Sequence, residues 1–431
     1  MDDVTQIRDL GQNVGKTVKI AGWLYNFRSS GKIEFLIVRD GTGVVQCVAV
    51  KGESPDELFL KIDVLTQESS LIVTGSVRAD SRSPGGYELS LENIEIIHIA
   101  EEYPIALKSH GVGFLSELRH LWIRTPRQNA ILRIRAEVEQ GIKDFLNSHD
   151  FVLIDAPILT GSAPEGSTSL FELDYFDTKA YISQSGQLYE EAAAFAFRRV
   201  YSFGPTFRTE KSKTRRHLTE FWMVEPEMAF CDLSECMKIQ EELVVYLIER
   251  CLSQCGNELS ILNRNTKMLE NVKAPFPRTK YEEIIEFLNK KGREKKWGED
   301  ITGLDETIIS KEFDKPLFIT HLPISSTPFY MKPDPENPEV VLADDLIAPE
   351  GYGEIIGGSQ RIDDITTLKK RMKDFGLSEE NYNWYIDLRR YGSVPHSGFG
   401  LGLERFVAWI THTDHIRETI PFPRTIERIY P

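Results

Sequence analysis

Hydrophobic, β-rich runs separated by turn signals fill the first hundred positions, at 17–25, 33–39, 44–50, 71–78 and 87–97. Asp40-Gly41-Thr42-Gly43 closes a hairpin between the second and third runs, and Ser54-Pro55-Asp56-Glu57-Leu58 opens a short helix before the fourth. Five strands with a helix after the third is the order of an OB-fold β-barrel over 1–100, whose central face commonly binds oligonucleotides. From Glu101 to Gly113 the pattern loses its period and gains Pro104, Gly111 and Gly113, which predicts a linker within 101–125. Beyond it the period becomes helical. Ile131, Ile134, Val138, Ile142 and Phe145 recur at gaps of three and four, and 151–154 then reads as a strand stopped by Pro157. A second amphipathic helix, 233–250, carries Ile239, Leu243, Tyr246 and Leu247. Helices between apolar strands predict an α+β domain at 126–431 with a large, mostly antiparallel sheet.

Composition narrows the class. A length of 431 residues and 41 % hydrophobic content supply one large core and a smaller one. No apolar run is long enough to span a bilayer, and the first ten residues are acidic and polar where a signal peptide is basic and then apolar, so a cytoplasmic protein with no membrane segment is expected. Cys47, Cys231, Cys236, Cys251 and Cys255 form neither an even framework nor zinc-type hooks, and read as reduced thiols. The net charge of −15 argues against nonspecific polyanion binding. A shaped RNA site needs only a local basic patch, and Lys211-Ser212-Lys213-Thr214-Arg215-Arg216-His217 is one.

That patch joins two informative stretches, 203–210 (Phe-Gly-Pro-Thr-Phe-Arg-Thr-Glu) and 220–227 (Glu-Phe-Trp-Met-Val-Glu-Pro-Glu). An arginine two residues before a glutamate, followed by a basic loop and a returning strand, can set a cation on a phosphate and a carboxylate near an amino group. Further on, 398–406 (Gly-Phe-Gly-Leu-Gly-Leu-Glu-Arg-Phe) lacks the spacing and the later acidic residue of a dinucleotide fingerprint. It reads as a glycine-rich strand entering an apolar helix, with Arg405 near the helix start where it can reach phosphates and lie against a purine. The glycines are expected to let backbone and ligand approach closely.

With Leu153-Ile154-Asp155-Ala156-Pro157 after the long helix, these segments resemble the three signature motifs of class II aminoacyl-tRNA synthetases, in order and spacing. The chain is similar over essentially its whole length to the subgroup that activates Asp, Asn and Lys, since the N-terminal barrel pattern, Gln184-Ser185-Gly186-Gln187-Leu188-Tyr189 and the 353–361 run also fit. The resemblance implies an ATP-dependent ligase with Arg208 on the α-phosphate, and Arg405 on the γ-phosphate and one face of adenine. It implies Phe221 on the other face, Glu210 at the adenine and acceptor-end side, and Arg216 and His217 as further phosphate contacts. Asp345 and Glu354 would hold the Mg2+ ions that bridge the phosphates.

Amino-acid choice is read the same way. Aspartyl relatives carry a lysine where Glu190 stands and an Asp where Glu225 stands, so an anion at Glu190 and the longer Glu225 imply L-asparagine as substrate and tRNA-Asn as acceptor. Arg361 would hold the side-chain carbonyl oxygen, Glu165 the α-amino group, and Ser185 and Gln187 would line the pocket. A compact aspartyl enzyme is the alternative; a tRNA-independent paralogue and a nonenzymatic RNA-binding protein fit the intact motifs and barrel less well. Two further expectations follow from the resemblance. Phe35, with Arg28 and Gln46, would meet the anticodon, and the 131–145 helix with the strand ending at Pro157 would form a homodimer, aided by Leu121, Trp122 and Ile123.

Overall fold

In a computed structural model, which describes residues 4–161, 170–211 and 214–431, the N-terminal runs become β1 (Thr17–Ser30), β2 (Ile33–Arg39), β3 (Val44–Val50), β4 (Ser70–Ala79) and β5 (Tyr87–His98). They close a barrel in the order β1-β2-β3-β5-β4. Inward alternation builds its core: Leu36 and Val38 on β2 and Val45 and Cys47 on β3 are fully buried, together with Leu24, Leu71 and Val73. The predicted hairpin is held by Asp40, whose Oδ1 accepts from the amides of Thr42 (2.7 Å) and Gly43 (3.1 Å). The helix after the third strand, Asp56–Asp63, buries Leu58, Phe59 and Ile62.

β1 runs past its predicted end at Tyr25 because a bulge between Leu24 and Asn26 breaks the in-and-out alternation, and the exposed, polar continuation then carries no apolar signal. The segment predicted as a linker contains two short helices, Val112–Glu117 and Arg119–Trp122. The barrel and these helices lie in one compact unit, Met1–Asn129.

The second unit, Ala130–Pro431, is built on β6 (Val152–Leu153), β7 (Leu159–Thr160), β8 (Glu172–Tyr175), β9 (Thr178–Ile182), β10 (Arg199–Phe207), β11 (Glu220–Ala229), β12 (Arg278–Lys280), β13 (Leu317–Thr320), β14 (Ala343–Ala348), β15 (Gly353–Gln360) and β16 (His396–Gly402). Eight of these form one sheet in the order β12-β13-β14-β15-β16-β11-β10-β6, antiparallel except at its two ends. That is the predicted α+β architecture. The strand expected at 151–154 shortens to β6 at the sheet edge.

Helix Pro126–Ser148 and helix Leu233–Gln254 pack on this sheet, and Ile131, Ile134, Val138, Ile142 and Phe145 all enter the core with Leu243, Val244 and Leu247. The apolar stripe assigned to a subunit interface is therefore consumed inside the chain. Exposed apolar side chains lie instead on and after β6, at Val152, Leu153, Ile158 and Leu159. No helix among the described residues is long and apolar enough to cross a membrane. Glu165 lies outside the described residues.

Candidate active site

The β10–β11 hairpin brings the first motif to one end of the sheet. Thr206 pairs with Phe221 and Phe207 with Glu220, and Arg208 N donates to Thr219 O just beyond the last pair (3.0 Å). Arg208 thereby sits with its guanidinium carbon 5.2 Å from the Phe221 ring centroid. Both line a cavity with Glu210, His217, Glu354 and Arg405. Arg405 enters from the first turn of helix Leu403–Thr411 and donates through Nη1 to Glu354 O (3.0 Å) and Glu354 Oε2 (3.3 Å).

Strand chemistry explains why Glu354 is there. β14 and β15 pair Asp345 with Gly357 and Leu346 with Ile356, but Ile347 with Glu354, so one extra residue of β15 bulges out at Ile355. The extra residue reverses the alternation and turns Glu354 to the same face as Asp345. A methyl group placed on Gly357 would lie 3.3 Å from Glu354 Oε1 and 3.7 Å from Asp345 Oδ1, so the two carboxylates converge there. Burial, and then Glu354, Asp344, Glu306 and Asp300, push the Asp345 carboxyl well above the usual range. A converging set of hard oxygen donors of this kind suits a divalent cation.

Glu306, Asp300 and Glu404 were not legible as functional in the sequence. Glu306 Oε2 accepts from Glu354 N (3.0 Å) and from Arg216 Nη1 (3.0 Å). Arg216 also donates to Gly303 O and Thr307 Oγ1 at 3.0 and 2.8 Å, and to Gly351 O, so this arginine is anchored to helix Gly303–Ser310. His217 has its pKa lowered, by burial first and then by Arg405, with Glu210 opposing. Glu404 is buried and accepts from Arg135 Nη1 (2.6 Å) and Trp222 N (3.0 Å), tying β11 to the Arg405 helix. A glutamate directly before Arg405, at the start of an apolar helix, was the available signal.

Among the predicted amino-acid residues, Ser185, Gln187 and Glu225 meet one another. Glu225 Oε1 accepts from Ser185 Oγ, Glu225 Oε2 accepts from Gly186 N (3.0 Å), and Gln187 N donates to Ser185 Oγ (3.1 Å). Gln187 Nε2 reaches Glu191 Oε1 (3.1 Å). Arg361 pairs with Glu227 through Nε and Nη2 (3.1 and 2.9 Å) and donates to Ser359 Oγ (2.6 Å), all in the buried interior. Gly398 owes its identity to this pair. A Cβ there would meet Glu227 Oε2 at 1.9 Å, and one on Gly400 would meet Met223 Cε at 2.4 Å. The close approach expected of a ligand at these two glycines is made by the protein's own side chains. Glu191, Glu227 and His396 lie close enough to share a cation, but Arg389 Nη2 already lies 2.6 Å from Glu191 Oε2.

The tRNA synthetases class II (D, K and N) family model matches residues 113–426. The chain belongs to this family. An OB-fold nucleic acid binding domain model matches residues 18–97. Among class II synthetases of this group, the asparagine–tRNA ligase of Desulforamulus reducens is 60 % identical over 427 residues, 99 % of either chain. The asparaginyl-tRNA synthetase of Pyrococcus horikoshii, solved with asparaginyl-adenylate, superposes with a TM-score of 0.95 at 46 % identity over the whole of both chains. The aspartyl tRNA synthetase of Entamoeba histolytica is more distant, with a TM-score of 0.83 and 28 % identity over 99 % of this chain and 92 % of that one.

On the barrel, Phe35 and Gln46 project from the face opposite the core. Arg28 pairs with Phe35 across β1 and β2, its guanidinium carbon 4.4 Å from the ring centroid. Gln46 is on β3, the strand paired with that of Phe35, and donates to Ser83 Oγ (3.2 Å).

Proposed function

We infer that the chain activates asparagine with ATP and transfers it to the 3′ end of tRNA-Asn, as an ester-forming ligase. The observation that carries the amino-acid choice is Glu225, a buried carboxylate fixed by Ser185 Oγ and Gly186 N. An acceptor-only group suits the amide nitrogen of asparagine and repels the carboxylate of aspartate. Two like charges about 4 Å apart at an effective dielectric of about 20 oppose each other by roughly 4 kcal/mol, about a thousandfold in affinity. The 60 % identity to an asparagine–tRNA ligase supports the same reading.

In the first half-reaction the asparagine carboxylate attacks the α-phosphorus, and the bond to the pyrophosphate oxygen breaks. Arg208 binds the α-phosphate and Arg405 the γ-phosphate, so positive charge meets the oxygens on which charge develops. Phe221 and Arg405 cover adenine, and Glu210 lies at its acceptor-end side. Arg216 and His217 flank the phosphates. Asp345 and Glu354 would hold Mg2+, which when bound neutralises phosphate charge. Arg361 orients the side-chain oxygen, with Ser185 and Gln187 lining the pocket and Glu165 taking the α-amino group. In the second half-reaction the terminal ribose 3′-hydroxyl attacks the mixed anhydride and AMP leaves.

Arg28, Phe35 and Gln46 serve the anticodon, the protein acts as a homodimer, and its five cysteines, all free and buried, suit the reducing cytoplasm. Pyrophosphate exchange with each of the twenty amino acids is the direct test. Exchange should be driven by asparagine alone, and comparable exchange with aspartate would overturn the assignment.

A further inference from the structure

Behind Glu225 stands a second carboxyl that the mechanism above does not use. Glu190, on the first turn of helix Gln187–Phe197, has no exposed surface, and neither of its side-chain oxygens meets a hydrogen-bond partner. It presses on the wall that holds Glu225. A Cβ on Gly186 would lie 2.4 Å from Glu190 Oε1 and 3.0 Å from Ser202 Oγ. Gly186 N is the donor to Glu225 Oε2, and Ser202 is the β10 residue paired with Glu225.

Of these two neighbouring carboxyls only one is fitted for charge. Glu225 receives a hydroxyl and an amide proton, whereas Glu190 has no amide donor and no well-aligned hydrogen bond, the Ser202 hydroxyl being the one donor that approaches it. The surrounding charges are otherwise engaged: Arg361 faces Glu227 on β11, while Arg389 and His396 face Glu191, the next residue on the helix. A buried carboxylate without aligned donors takes up a proton rather than remain ionised. Burial and then the Glu225 charge both push the Glu190 carboxyl well above its usual range, Glu227 adds to this, and Ser202 and Arg361 oppose it.

We propose that Glu190 is held as a neutral carboxylic acid and acts as a positioning residue for amino-acid choice, keeping the pocket at one negative charge so that Glu225 alone is ionised. The anion expected at this position from the sequence is thus a proton carrier. Ionising it would set two carboxylates against one wall and drive Glu225 from its donors. The proposal rests on the reading of Glu225 given above.

Asparagine- and aspartate-driven pyrophosphate exchange in wild type, Glu190→Gln and Glu225→Gln, from about pH 6 to about pH 9, tests it. In wild type the KM for asparagine should rise about tenfold per pH unit once Glu190 ionises. Glu190→Gln, neutral throughout, should keep the wild-type KM at neutral pH and lose the alkaline rise. Infrared spectra should show a protonated-carboxyl band in wild type that disappears in Glu190→Gln and moves in Glu190→Asp, which serves if the glutamine variant does not fold. Loss of asparagine activation in a folded Glu190→Gln at neutral pH, or no change in the infrared band, would each overturn the proposal. An unchanged Asn-to-Asp ratio in Glu225→Gln would instead sink the role of Glu225, because the infrared comparison reads the Glu190 proton whatever Glu225 does.

Discussion

Single side chains at this site have structural and chemical duties that can be separated by measurement. Arg361 is the counter-charge of buried Glu227, so Arg361→Leu should remove asparagine activation and also destabilise the fold by about 3–5 kcal/mol, because an uncompensated charge is left inside. Denaturant unfolding beside pyrophosphate exchange checks both, and an unaltered midpoint would refute the structural half. His217 gives a pH signature. Its pKa is lowered by burial and by Arg405, so in the free protein it is neutral near pH 7 and opposes stability as pH falls through the unfolded histidine value of about 6.5. Bound triphosphate favours the charged ring. The KM for ATP should therefore fall as pH drops below about 6.5, and His217→Ala should flatten that slope. The sequence named both residues, yet the pairing of Arg361 with Glu227, like that of Arg216 with Glu306 and of Arg135 with Glu404, joins segments that a linear reading cannot bring together.

At the scale of elements, caps and strand faces decide what the site can hold. Helix Gly303–Ser310 starts at a box in which Asp305 Oδ2 accepts from Thr302 N (3.0 Å) and Thr302 Oγ1 (2.6 Å), and its next residue, Glu306, braces Arg216 and Glu354. Burial pushes the Asp305 carboxyl up, but Thr302, Arg293 and Lys295 bring it down to about 2. Its stabilisation is complete above the unfolded Asp value and is lost as pH falls through about 2. Thr302→Ala should lower stability by about 1 kcal/mol and raise the KM for ATP; a shift in Tm with an unchanged KM would show that the brace is not needed. Phe35, on the outer face of β2, makes the matching case for the barrel. Phe35→Ala should weaken tRNA charging by about 1–3 kcal/mol and leave amino-acid activation intact, which parallel aminoacylation and exchange assays would show. The barrel order was legible because turn signals bound its short strands, whereas the end of β1 was not, because the bulge after Leu24 cancels the period.

For the whole molecule, the exposed apolar row of Val152, Leu153, Ile158 and Leu159 is the surface on which the proposed homodimer should close. Leu153→Arg should convert a sedimenting dimer into monomers, and a wild-type protein that stays monomeric at micromolar concentration would end the proposal. The strand ending at Pro157 keeps its apolar side chains exposed, while the 131–145 helix spends its apolar side inside the chain. Periodicity marks which side of a helix is apolar and is silent on whose core receives it. The extra residue at Ile355 has a last consequence, for how such a chain can tolerate change. Deleting that one residue would restore regular pairing between β14 and β15 and still leave Glu354 opposite Ile347, on the face of Asp345, whereas Ile355 entering the ladder opposite Ile347 would turn Glu354 away. A chain one residue shorter at this point would keep both carboxylates together, so the least regular point of the sheet tolerates loss of its extra residue and fails only where that residue is drawn into regular pairing.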